Sequence, residues 1–232
     1  MPDSGDDVGV DRLPHGYTNF TRLANGQVEK TYDGPRRWAN SSRELACLLG
    51  LADQLPVAVV VDKDLSVPRL ILSLLPGRHG QDLIADGHAS EVLGLAGEAL
   101  VAVQRVSPET VPGLVGDGSV IVHGDFGPQN MLFDLNADCV TGVLDWESAH
   151  IGSPIEDLAW TEWIVRMHHP EAIDALDALF EAARQRPPWA QRQVAMLQQI
   201  EDLIGYCESA GMDHSATDWR DRRHRTETWT GE

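Results

Sequence analysis

The stretch HGDFGPQNMLFDLNADCVTGVLDWE, residues 123–147, decides the fold. Asp125 and Asn130 stand five residues apart on a loop containing Gly127 and Pro128. NMLFD (130–134) and CVTGVLD (139–145) read as two strands joined through Leu135-Asn136-Ala137-Asp138, a turn-forming cluster. Such a hairpin returns the chain on itself and brings Asp145 beside Asn130. The oxygens of Asn130 and Asp145 suit a hard cation such as Mg²⁺, which leans on one or two carboxylates plus substrate phosphates. The separate carboxylate of Asp125 can accept a proton from a hydroxyl. Cation ligands, positioning and a base are the parts phosphoryl transfer needs.

Upstream, HGYTNFTRLANGQVEKTY (15–32) predicts two strands around Ala24-Asn25-Gly26, because Asn-Gly is a strong hairpin signal. Ser41 or Ser42 is placed to cap the next helix, whose apolar residues Leu45, Leu48, Leu49 and Ala52 recur at helical spacing. VAVVVD (57–62) and PRLILSLL (68–75) read as two further strands, with Lys63-Asp64 as the turn between them. Pro76-Gly77 breaks the pattern as a hinge would. Beyond it, Val92, Leu95, Ala96, Ala99, Leu100 and Val103 form one face of a helix, and SVIVHGD (119–125) is a short strand entering the loop. Residues 154–168, 171–186 and 188–210 read as helices; 211–232 show no assignable pattern. The expected fold is α+β, with a small β-rich N-lobe and a mainly helical C-lobe. Its expected boundaries are a flexible tail at 1–11, an N-lobe at 12–75 and a C-lobe at 76–232.

The 123–147 stretch, continued by Gly152-Ser153-Pro154-Ile155-Glu156-Asp157-Leu158-Ala159, resembles the catalytic signature of the aminoglycoside phosphotransferase and choline kinase superfamily. Ser153 stands where that signature often has Asp. The resemblance implies a two-lobed, protein-kinase-like fold and a small-molecule kinase using Mg²⁺ with ATP or GTP. It implies Asp125 as catalytic base, Asn130 and Asp145 as metal ligands, His123 as a brace of the catalytic loop and Asp157 as its backbone anchor. Glu147 reads equally as a support for the site or as an exposed strand-end carboxylate.

The resemblance extends to GYTNFTRLANGQVEKTY as a nucleotide-covering hairpin followed by a lysine strand. Lys30 then matches the lysine that holds the α- and β-phosphates, and Glu44 its ion-pair partner. Gly16, Asn19 and Thr21 would shape the phosphate-covering hairpin. Ser73-Leu74-Leu75 would meet the purine at the hinge, so Ser73 and Leu75 belong to the nucleotide site. The chain has only two lysines, Lys30 and Lys63, and the second reads as solvated. No GxxxxGK[ST] occurs, which argues against a P-loop NTPase.

Acids outnumber Lys plus Arg by 36 to 18, a formal net charge of −18. That argues against nucleic-acid or anionic-membrane partners and suits a cationic small-molecule acceptor. Eleven acids against four arginines lie between 150 and 215. Among them Glu162 and Asp202 are candidates to face the acceptor, while Trp160 and Trp163 read as core packing more readily than as a cation platform. Aliphatic runs are short and the N-terminus lacks an apolar signal segment, so a cytoplasmic protein is expected. Cys47, Cys139 and Cys207 are dispersed, as reduced thiols would be. About 45 residues separate Pro76-Gly77 from His123, where many relatives carry a larger helical insertion. Choline-like, homoserine-like and sugar acceptors stay open beside the aminoglycosides, and antibiotic resistance follows only if the acceptor is an antibiotic. A nucleotide-binding pseudokinase without turnover is the alternative. A metal-dependent phosphoesterase lacks its expected cluster of His and carboxylate ligands.

Overall fold

The computed structural model describes residues 19–64, 66–134 and 136–231. Gly16 and the 1–11 tail lie outside them. Strands β1 (Phe20–Ala24) and β2 (Gln27–Thr31) form the expected hairpin, turning on Asn25 and Gly26, both at positive φ. Helix α1 (Arg37–Leu51) follows, then β3 (Val60–Asp64) and β4 (Arg69–Ser73). The four strands make one antiparallel sheet in the order β1-β2-β4-β3, and Lys30 sits opposite Thr21 on one side and Leu70 on the other.

Two sequence expectations fail in α1. Ser41 and Ser42 do not cap α1. The helix starts four residues earlier, after a turn at Gly34 (φ 80°), and the Ser41 hydroxyl donates instead to the Trp38 carbonyl. The buried face of α1 is also rotated from the leucine stripe. It carries Ser41, Glu44, Cys47, Leu48 and Leu51, whereas Leu49 is 62% exposed. This rotation takes Glu44 inside. Lys63 is solvated as expected, but on the edge strand β3 rather than in a turn.

After the hinge, β5 (Arg78–His79) leads into α2 (Gly80–Ala85) and α3 (Ala89–Arg105). Gly77 (φ 125°) passes so close to β7 that a Cβ there would lie 2.4 Å from the Phe133 carbonyl oxygen. Strand β6 (Val120–Val122) pairs with β9 (His150–Gly152), and β7 (Met131–Phe133) with β8 (Val140–Val143). The C-lobe ends in α4 (Ile155–His168), α5 (Leu176–Ala182), α6 (Trp189–Ser209) and α7 (Asp213–Glu227). The expected 171–186 helix splits: Pro170–Ala175 is a 3₁₀ segment and only α5 is α-helical.

One apolar core runs through both lobes, from Cys47 and Leu70 to Phe133, Trp146 and Leu158. Each fully buried large side chain contributes about 1.5–3 kcal/mol. A second, smaller core gathers Trp160, Trp163, Ile164, Met196, Ile200 and Ile204, with Trp189 and Trp219 packed against it. Among the described residues no helix is long and apolar enough to cross a membrane.

Candidate active site

The β7–β8 hairpin closes as the sequence predicts. Met131 lies opposite Val143, and the Leu144 amide donates to the Asn130 carbonyl at 2.8 Å. Asn130 and Asp145 are thereby held at the open end of the hairpin. Asp145 takes a left-handed backbone conformation (φ 65°, ψ 58°), one that Asp tolerates better than most residues.

Asp125 is held on every side. Its Oδ2 accepts from Asn130 Nδ2 at 2.8 Å; its Oδ1 accepts from Trp160 Nε1 at 2.9 Å and, more weakly, from Gln129 Nε2 at 3.4 Å. Burial pushes its carboxyl up to about 6, against the pull of the Trp160, Asn130 and Gln129 donors. The amide nitrogen of Asn130 is committed to Asp125, which leaves its side-chain oxygen as the atom that could ligate a cation.

The loop beneath Asp125 is fixed by two buried groups. His123 Nδ1 accepts from the Asp125 amide at 3.2 Å, so its Nε2–H donates to the Leu144 carbonyl at 2.8 Å. Burial lowers this imidazole to about 4 and keeps it neutral. Asp157 accepts from the backbone amides of His123 and Gly124 at 2.7 and 2.9 Å. Burial raises its carboxyl to about 7 despite those two bonds. Gly124 has φ 82°, and a Cβ there would meet the Ser148 carbonyl at 2.6 Å, so no side chain fits.

Across the cleft, Lys30 Nζ donates to Glu44 Oε2 at 2.5 Å and to Asp145 Oδ1 at 2.6 Å. The ammonium therefore links β2, α1 and the end of β8. Burial disfavours its charge, but Asp145, Glu44 and Glu147 together outweigh that and hold it above its usual value. Burial raises Glu44, opposed by Lys30, and raises the Tyr32 hydroxyl, which donates to Glu44 at 2.7 Å. Glu147 is buried and is not an exposed strand-end carboxylate. It accepts from Asn19 Nδ2 at 2.7 Å, and its backbone carbonyl accepts from Arg43. Burial, with Asp145 nearby, raises Glu147 to about 7. Oxygens of Glu44, Asp145 and Glu147 lie within 4.8 Å of one another, a donor set suited to a hard cation.

A cavity of about 420 Å³ opens between the lobes. Lys30, Glu44, Asn130 and Asp145 line it, together with Thr21, Leu72, Ser73, Leu74 and Leu75. Its size and mostly apolar wall suit a flat heterocycle with a charged tail. The Ser73 hydroxyl is committed, accepting from the Val59 amide at 2.9 Å.

The structure thus brings together Lys30, Glu44, Asn130 and Asp145, with Asp125 bonded to Asn130. It does not bring Glu162 to them. Glu162 is fully buried between Arg166 (2.9 Å) and Arg192 (2.9 Å), so it faces no acceptor. Asp202 is exposed on α6 and accepts from Gln198 at 3.1 Å. Trp160 and Trp163 are core residues, as their spacing on α4 suggests. Sequence reasoning passed over Tyr32, Gln129 and the Trp160 N–H. Tyr32 lies two residues from Lys30 in the strand direction, and Trp160 lies at i+3 from Asp157 on α4; both spacings imply a shared face.

The two-lobed fold is the kinase-like fold of the aminoglycoside phosphotransferases. The chain superposes on the GDP complex of aminoglycoside 2'-phosphotransferase-IIIa with a TM-score of 0.75, at 14% identity, covering 95% of this chain and 93% of that one. Residues 110–197, which hold Asp125, Asn130, Asp145 and Asp157, match the model of the phosphotransferase enzyme family. Viomycin phosphotransferase of Streptomyces vinaceus is 44% identical over 43 residues, 18% of this chain and 15% of that one. A probable acyl-CoA dehydrogenase, IBR3, of Arabidopsis thaliana is 30% identical over 105 residues, 45% of this chain and 12% of that one. The matched part is therefore well under a fifth of either curated relative.

Proposed function

We propose that the protein is a small-molecule kinase that moves the γ-phosphoryl group of ATP or GTP to a hydroxyl of a cationic acceptor such as an aminoglycoside. The observation that carries this reading is one cleft with a buried ammonium–carboxylate pair, Lys30 and Glu44, facing Asn130 and Asp145, with the separate carboxylate Asp125 bonded to Asn130. Residues 12–75 would form the nucleotide-binding lobe and 76–232 the catalytic and acceptor-binding lobe. The acidic chain and the antibiotic phosphotransferases among its relatives favour a cationic acceptor.

Asp125 orients the acceptor hydroxyl and takes its proton as the oxygen attacks the γ-phosphorus. The bond from that phosphorus to the β–γ bridging oxygen breaks, and the nucleoside diphosphate leaves. Lys30, fixed by Glu44, holds the α- and β-phosphates. Asn130 and Asp145 would hold Mg²⁺, whose chemistry when bound is neutralisation of charge on the phosphate oxygens. His123 and Asp157 keep the Asp125 loop in place. Asn19, bonded to Glu147, and Thr21 border the phosphates, while Ser73 and Leu75 border the base.

The test is nucleoside diphosphate release with Mg²⁺-ATP and Mg²⁺-GTP across aminoglycosides, viomycin, choline-like amines, sugars and homoserine. Acceptor-dependent release should fall by about 10²–10⁴ in Asp125→Asn, with nucleotide binding retained. Nucleotide binding without release for any acceptor would replace this reading with that of a non-catalytic nucleotide binder.

A further inference from the structure

The C-terminal helix α7 has no part in the chemistry described above, yet its ring stack ends on the proposed base. Trp160 of α4 is 4% exposed and aims its Nε1–H at Asp125 Oδ1, 2.9 Å away. Its ring lies on that of Trp163, one turn along α4, with centroids 4.3 Å apart and planes 5° from parallel. Trp219 of α7 leans against both rings, at 6.2 Å from Trp160 and 5.6 Å from Trp163. Trp163 is itself tied to α7, since its Nε1–H donates to the buried Thr226 hydroxyl at 2.9 Å. Gln193 of α6 donates to the Thr226 carbonyl at 3.0 Å and holds that end of the helix.

An indole N–H meets its acceptor only if both side-chain torsions are fixed. Asn130 holds Oδ2 of Asp125, but the donors to Oδ1 are Trp160 at 2.9 Å and Gln129 at a weak 3.4 Å. Turning the Trp160 ring would displace Trp163, and with it the contacts to Trp219 and Thr226. We infer that Trp160 is a positioning residue for Asp125, and that α7 sets the aim of Trp160 through the contacts of Trp219 with the stacked Trp160–Trp163 pair. The inference rests on the reading of Asp125 as the base.

Trp160→Phe keeps a ring in the stack and deletes the donor. It should lower kcat about tenfold or more, as loss of a hydrogen bond to a charged group does, and leave the nucleotide dissociation constant unchanged. Trp219→Ala should lower kcat in the same direction, and Trp219→Phe, which restores an aromatic face, should recover most of the loss. In the Trp160→Phe background Trp219→Ala should have no further effect, because the link it acts through is already cut. A readout independent of turnover is the Trp160 indole N–H resonance in ¹⁵N-labelled protein. It should move in Asp125→Asn and in Trp219→Ala.

Trp160→Phe with the wild-type kcat overturns the positioning role. Additive losses in the double variant overturn the link to α7. An indole resonance indifferent to Asp125→Asn overturns the contact itself. A resonance that responds as expected, in a protein that turns over no acceptor, overturns the kinase reading and leaves the contact standing.

Discussion

Replacing Glu162 by Gln should destabilise the protein by about 3 kcal/mol and leave acceptor binding alone. Glu162 has no exposed surface and lies between two guanidinium groups, Arg166 with 10% and Arg192 with 6% of its side chain exposed. Arg166 Nε makes an aligned hydrogen bond at 2.9 Å; Arg192 Nε is equally near Oε2 but not aligned for one, so that contact is ionic. Burial raises the Glu162 carboxyl despite both cations, so desolvation opposes the pair. Gln keeps the shape and one acceptor oxygen but strands two buried cations. Removing one partner of a buried pair costs roughly 3–5 kcal/mol. The lower end applies here because both guanidiniums keep other partners: Arg166 and Arg192 lie over the Trp189 ring, and Arg192 also over Phe180. In urea, with a slope near about 3 kcal/mol per molar, the midpoint should fall by about 1 M. Tryptophan fluorescence follows the transition, and the acceptor KM is measured on the same variant. A midpoint shift under about 0.3 M, less than 1 kcal/mol on that slope, together with a raised acceptor KM would refute the buried-triad reasoning and return Glu162 to the acceptor site.

Lys30→Met should abolish tight nucleotide binding and lower stability by about 3 kcal/mol near neutral pH, because Glu44 is left buried without its cation. The deficit should shrink as pH falls and Glu44 takes up a proton; thermal melts from pH 8 to 5 check this, and a constant deficit would count against it. His123 should stay neutral in the folded state until about pH 4, seen as a flat imidazole NMR titration above pH 5. Its folded value lies below the unfolded one near 6.5, so its share of stability, about 3 kcal/mol, is present above pH 6.5 and withdrawn as pH falls toward 4. Asp157→Asn should cost about 1–3 kcal/mol, since an amide offers one acceptor where the carboxylate offers two to the His123 and Gly124 amides. Faster hydrogen exchange confined to residues 123–126 would show that the loop has loosened.

The front of the molecule and the hairpin at its centre were legible because their signals are local. Asn25-Gly26 turns β1 into β2, and two short apolar runs on either side of a turn-forming stretch fold β7 onto β8, which carries Asp145 to Asn130. The Lys30–Glu44 pair was legible only through resemblance. By periodicity alone α1 would bury Leu49 and leave Glu44 free to point outward; the opposite occurs because Lys30 and Tyr32 meet Glu44 from the neighbouring strand. Glu162 was misread for a related reason. Its neutralising partner Arg192 stands on another helix, and nothing in the intervening sequence marks the pairing. Helix α7 was illegible because DHSATDWRDRRHRTE offers almost no apolar stripe. Its burial rests on Ala216 and Thr226 and on the ring of Trp219 against α4.

The ammonium of Lys30 sits among three acids, two of them bonded to it before any phosphate arrives. A naked polyphosphate entering the cavity would trade one anion for another while facing the remaining carboxylates. The same chain of phosphates carrying a divalent ion would meet Asp145 and Asn130 with charge to spare. If the cleft binds a nucleotide as proposed, it would act as an ion-exchange gate, favouring the nucleotide together with its counter-ion over the bare polyanion through the balance of charge around a single lysine.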